Sequence, residues 1–167
     1  MAARYASARA AEAGLSEVEI DSAGTLGIEG SPASDHAITT LGELEIPLDE
    51  HRSRGLTQDD ATAHDLIIVM TRAHLAEIRR RYPEIGTRAW LLREWDEESS
   101  DPRGDDLEDP IGLSLEAYRS TFEIIRRAVD NLIGELKTHH KLPPSPVKLG
   151  SGAAKRLLDR DRGEEGG

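Results

Sequence analysis

The longest regular pattern in the chain is the recurrence of Leu115, Tyr118, Phe122, Ile125, Val129, Leu132 and Leu136 at alternating spacings of three and four. That spacing draws one apolar stripe along a helix capped by Ser114. A single stripe with no matching heptads packs on a sheet rather than in a coiled coil. Asp65-Leu66-Ile67-Ile68-Val69-Met70 has a different character, a continuous apolar run of the kind buried on both faces of a parallel sheet, and it predicts the central strand. Val18-Glu19-Ile20-Asp21-Ser22-Ala23-Gly24-Thr25 alternates apolar and polar before falling into small residues, which predicts a strand over 18–25 entering a tight loop. Ala89-Trp90-Leu91-Leu92 predicts a short last strand.

Between these runs the punctuation is helical. Residues 1–13 are rich in alanine, a strong helix former, and Gly14 is a natural C-terminal cap. Pro32 and Ser34 open a helix with Ala37, Leu41 and Leu44 inward, ending before Pro47. Thr57-Gln58-Asp59-Asp60 resembles a capping box with Asp in place of Glu. Thr71 caps a further helix whose Leu75 and Ile78 point inward, with Arg79, Arg80 and Arg81 near its negative end. Strands alternating with helices predict an α/β domain built on a parallel sheet. Residues 93–108 are acidic and poor in apolar side chains, so they predict a long mobile loop that delivers Asp109. The domain is expected over 1–137. Residues 138–167, with His139, His140 and a proline-rich stretch, are expected to form a disordered tail.

Composition narrows the chemistry. At 167 residues and 18.3 kDa the chain fits one domain with a real core. A net charge of −11 argues against nucleic acid or an anionic membrane surface as a partner. No run is long enough to cross a bilayer and the start lacks the apolar core of a signal peptide, so a cytoplasmic location is expected. The sequence contains no cysteine, which removes disulfides, thiolate metal sites and any cysteine nucleophile from these residues. Adjacent histidines without further ligands make no metal site, and no cofactor is expected.

The strongest candidate for catalytic chemistry is Asp109. Pro110 disfavours the α region for the residue before it, so the backbone aims the carboxylate, and a carboxyl held this way can protonate a leaving oxygen or nitrogen. The same dipeptide also serves simply to punctuate a loop before a helix. Ser22 reads as a turn hydroxyl. In His51-Arg52-Ser53-Arg54 the arginines suit either a phosphate or an ordinary solvated surface. In parallel sheets ligands gather at the carboxyl ends of strands, where Ser22 to Thr25, Thr71 and the Asp109 loop would meet, and an anion site is expected there.

Together, Asp21-Ser22-Ala23-Gly24-Thr25, the Pro32 loop, His51-Arg52-Ser53-Arg54-Gly55-Leu56-Thr57, residues 65–74 and Glu108-Asp109-Pro110 resemble the low-molecular-weight protein phosphatases in order and spacing. The resemblance covers residues 1 to about 137. It implies a three-layer, flavodoxin-like α/β fold of the phosphotyrosine protein phosphatase I type, with helices on both faces of a parallel sheet. It also implies a two-step reaction, in which a cysteine thiolate attacks phosphorus and an aspartate protonates the leaving group. Asp109 matches that general acid and Pro110 its neighbour. Ser22 and His51 match positions whose hydrogen bonds support the phosphate loop.

The family's first strand and its Cys-x-x-x-x-x-Arg-Ser-Pro loop would stand immediately before Met1. The chain is therefore expected to lack the first strand, the nucleophile and the phosphate-clamping arginine, and to be unstable or to aggregate when made alone. Three functions are expected in descending order: a phosphatase whose true start lies upstream, a non-catalytic relative that binds anions or partners, and an arsenate reductase. The implied partners are a phosphorylated protein or small phosphoester, and phosphate-like anions once the loop is restored. Ile28 and Ile111 stand where tyrosine phosphatases of the family carry aromatic residues, which places the chain nearer the bacterial branch that includes protein-arginine phosphatases.

Overall fold

Two parallel strands, β1 (Ile67–Val69) and β2 (Ala89–Leu91), pair Ile67 with Ala89, Ile68 with Trp90 and Val69 with Leu91. The computed structural model describes residues 1–138 except 27, 102, 103 and the side chains of 85 and 86. Around the strands run α1 (Ala2–Glu12), α2 (Asp35–Gly42), α3 (Gln58–Ala63), α4 (Arg72–Arg81) and α5 (Leu115–Thr138), with 3-10 turns at Pro83–Arg88 and Leu92–Trp95.

Side chains alternate across a strand, and the two resulting faces are covered by different helices. Ile68, Met70, Trp90 and Leu92 join one core with Tyr5 and Ala10 of α1, Leu41 of α2, and Phe122, Ile125 and Val129 of α5. Ile67, Val69, Ala89 and Leu91 join a second core with Ala61 of α3 and Leu75 and Ile78 of α4. The result is the expected three-layer α/β arrangement, helices above and below a parallel sheet. The α5 stripe is buried at Tyr118, Phe122, Ile125, Val129 and Leu132, with Ala128 and Ile133 added. Its first turn is capped by Ser114, whose hydroxyl accepts the Ala117 amide at 3.4 Å. The capping box at Thr57 and Asp60 is also formed, and Thr71 caps α4 through the His74 amide.

Two expectations are corrected. Residues 18–23 do not form a strand: Val18 and Ile20 pack half-buried on the larger core, but no described segment lies beside this backbone as a ladder partner. Alternation secured the packing and could not supply the hydrogen bonds. Pairing begins only at Gly24, bridged to Gly55 through Gly24 N–H to the Arg54 carbonyl (2.8 Å) and Leu56 N–H to the Gly24 carbonyl (2.9 Å).

The described residues of 93–108 are not a free loop. Trp95 is buried, its indole donates to Glu135 at 3.0 Å, and Asn131 of α5 donates to the Trp95 carbonyl at 2.9 Å. The Asp96 side chain is wholly buried between Arg93 (3.1 Å) and Arg127 (3.2 Å). The low count of apolar residues hid this, because the segment is held by ion pairs and by one tryptophan. Thr138 ends α5, and the rest of the expected tail, including His139 and His140, lies outside the described residues.

Candidate active site

The loops carrying Ser22 and His51 are zipped together. Besides the Gly24–Gly55 bridge, Gly30 N–H donates to the Ser53 carbonyl (2.8 Å), Ser53 N–H to the Ser31 carbonyl (2.9 Å), and Gly55 N–H to the Glu29 carboxylate (2.6 Å). Arg81, at the end of α4, donates to the Thr25 carbonyl at 3.0 Å. These bonds shape a cleft of ≈ 370 Å³ lined by Ser22, Thr25, Ile28, His51, Arg54 and His74, among others. It collects three of the residues expected from sequence, Ser22, Ile28 and His51.

Arg54 is not free to hold an anion alone. Its guanidinium pairs with Asp60 at 2.7 Å and Asp21 at 2.5 Å, and these hydrogen bonds, Asp60 first, raise it above the ordinary arginine value. The bond from Arg54, followed by those from Thr57, holds Asp60 well below the carboxylate range. Burial works against ionisation of Asp21, but the Ser22 amide and Arg54 prevail and hold it low as well. Arg52 donates to the Asp49 and His51 carbonyls at 2.9 and 2.7 Å. Both arginines therefore serve the loops they stand in. Burial pushes the His51 imidazole below its usual value, aided by the positive charges of Arg4 and Arg52, which leaves it neutral at pH 7.

His74 is a cleft residue that sequence reasoning passed over. It sits in the first turn of α4, where the Thr71 hydroxyl accepts its amide at 3.2 Å, and a Thr-x-x-His pattern straight after a strand was the available signal. None of the described lining residues is a carboxylate. Hydroxyl and imidazole donors over the aliphatic side chains of Leu26 and Ile28 suit an anionic group with an apolar flank.

Asp109, Pro110 and Ile111 are not among the described residues lining this cleft. They stand on the loop that meets the carboxyl end of β1, where Leu107 N–H donates to the Met70 carbonyl at 2.8 Å. Leu107 and Pro110 are buried and Asp109 is exposed, its carboxylate accepting the Ile111 amide at 3.0 Å. Ile28 and Ile111 are 60% and 71% exposed, far above ordinary isoleucines. Among the described residues no cluster of three or more His, Asp or Glu could hold a metal ion, and no helix is long and apolar enough to cross a membrane.

The model of the family described as low molecular weight phosphotyrosine protein phosphatase matches residues 1–142. A protein-arginine-phosphatase from Geobacillus stearothermophilus is 33% identical over 124 residues, 74% of this chain and 80% of that protein. The low molecular weight protein-tyrosine-phosphatase Etp of Escherichia coli (strain K12) is 29% identical over 114 residues, 68% of this chain and 73% of that protein. Among solved structures, a mutant of the YwlE arginine phosphatase with a phosphorylated active site serine superposes with a TM-score of 0.77 at 27% identity, covering 85% of this chain and 90% of that one.

Proposed function

We propose that this chain, which belongs to the low molecular weight phosphotyrosine protein phosphatase family, serves the dephosphorylation of phosphorylated proteins and prefers phosphoarginine to phosphotyrosine. The observation that carries the reading is the pinned acid loop at the carboxyl end of β1 in a chain matched by the family model over residues 1–142. Asp109 is the general acid, giving its proton to the leaving nitrogen or oxygen as the bond to phosphorus breaks. Pro110 keeps it extended, and Ser22 and His51 support the phosphate loop. The 167 residues hold no cysteine, so a cysteinyl-phosphate needs a thiol from outside them.

The preference for phosphoarginine rests on two exposed side chains. Exposed aliphatic Ile28 and Ile111 offer no aromatic faces to stack on a phenol ring, and a relative at 33% identity carries the name protein-arginine-phosphatase. The absence of cysteine is consistent with inactivity of these 167 residues, and the second reading is a domain that binds phosphorylated partners without turnover.

The test is the intact mass of the protein from its own cells, with rates on phosphoarginine and phosphotyrosine peptides. A mass above 18.3 kDa, a cysteine in the added segment and faster phosphoarginine hydrolysis are expected. A mass matching the 167 residues without turnover overturns catalysis in favour of binding. Faster phosphotyrosine hydrolysis overturns the preference.

A further inference from the structure

The geometry points to Arg72 as a positioning residue for Asp109, through its grip on the segment that leads into the acid loop. This inference rests on the reading of Asp109 as the general acid. Arg72 is the first residue of α4. Its backbone amide donates to the Asp106 carboxylate at 2.7 Å, and its Nη2 donates to the Gly104 carbonyl at 2.6 Å and the Asp101 carboxylate at 3.0 Å. The next bond along the chain is Leu107 N–H to the Met70 carbonyl, and Pro110 is buried just beyond Asp109.

Gly104 makes this docking close. With φ at +79° it lies against the backbone of Arg93 and Glu94, where a Cβ would come within 2.7 Å of the Glu94 nitrogen. The acid loop is thus clamped between the Leu92–Trp95 turn on one side and the Arg72 guanidinium on the other. The same turn of α4 carries His74 into the cleft. One rigid helical turn therefore sets both a cleft wall and the approach of the acid, which is how a side chain remote from the chemistry can hold its geometry.

The test uses the whole chain and one spectroscopic reporter, the Ile111 amide proton, whose exchange with solvent is slowed by its bond to the Asp109 carboxylate. In the parent chain this proton is expected to exchange more slowly than an unbonded loop amide. In Arg72→Met its protection is expected to fall by half or more, while the Val129 and Leu132 amides of α5 keep theirs. Arg72→Lys, which keeps the pair with Asp101, is expected to recover most of it. Asp101→Asn removes the pair from the loop side and is expected to act in the same direction, which keeps the inference testable should Arg72→Met not fold.

Full Ile111 protection in both Arg72→Met and Asp101→Asn overturns the positioning role. So does no Ile111 protection in the parent, or an equal loss in α5. The general-acid reading fails by a different result, unchanged turnover of Asp109→Asn in the thiol-bearing protein.

Discussion

The Asp109 carboxylate folds back on the Ile111 amide at 3.0 Å, so its side chain is held by its own loop. Asp109→Asn keeps the size and the bond to Ile111 but cannot give that proton. Turnover by the thiol-bearing protein is expected to fall about a hundredfold or more, most steeply for poor leaving groups. Rates on substrates of graded leaving-group pKa check this, and a flat response returns Asp109 to a role in punctuating the loop.

Gly104 and Gly14 separate two kinds of glycine requirement. Both have φ near +78°, at +79° and +77°, but a Cβ at Gly14 meets open space whereas one at Gly104 strikes the Glu94 backbone. Gly14→Ala is expected to cost about 1–2 kcal/mol, the penalty of the left-handed conformation alone. Gly104→Ala is expected to cost more and to loosen the acid loop, since the wall it strikes is backbone. Urea unfolding of the two variants side by side measures the difference.

Asp96 is the hidden anchor of the same loop. Burial would raise its pKa, but hydrogen bonds from Arg127, the Glu98 amide and Arg93 prevail and hold it below the carboxylate range. Its folded pKa lies below the unfolded value, so its contribution is present above that value and is lost as pH falls through the folded one. Asp96→Asn leaves two arginines facing a neutral amide and is expected to cost about 2–3 kcal/mol by denaturant unfolding at pH 7.

Much of the molecule was legible from period and punctuation. The α5 stripe, the apolar run of β1 and the caps at Thr57 and Thr71 rest on local rules, and each formed where those rules put it. What failed was non-local. The strand expected over 18–25 depended on a neighbour that no described segment supplies, and no local pattern reports on partners. The segment before Asp109 looked loose because much of its order comes from Arg72 and Arg127, distant in sequence from the carboxylates they hold. At the site, Ser22, His51 and Ile28 were legible through motif spacing. His74 was missed because a histidine in the first turn of a helix looks like any surface residue until the fold turns it into the cleft.

His51 gives the site a pH dependence that the carboxylates do not. Its folded pKa lies below the ordinary 6.5, first because the ring is partly buried and then because cationic groups stand near it. As pH falls through the unfolded value, the unfolded chain takes up a proton that the folded ring refuses, so the unfolded state gains and stability drops. The loss stops once pH passes below the folded pKa. The His51 contribution is therefore expected to be flat from pH 8 to about 7 and to decline below it, by at most about 1.4 kcal/mol per pH unit. The decline from Asp60 and Asp96 begins lower, about their unfolded value of 3.8, whereas that from His51 begins about 6.5. His51→Gln is expected to remove the decline that begins below pH 7 and leave the acid limb intact. Urea midpoints at pH 8, 6, 5 and 3 distinguish this from a general acid sensitivity, in which that decline would survive the substitution.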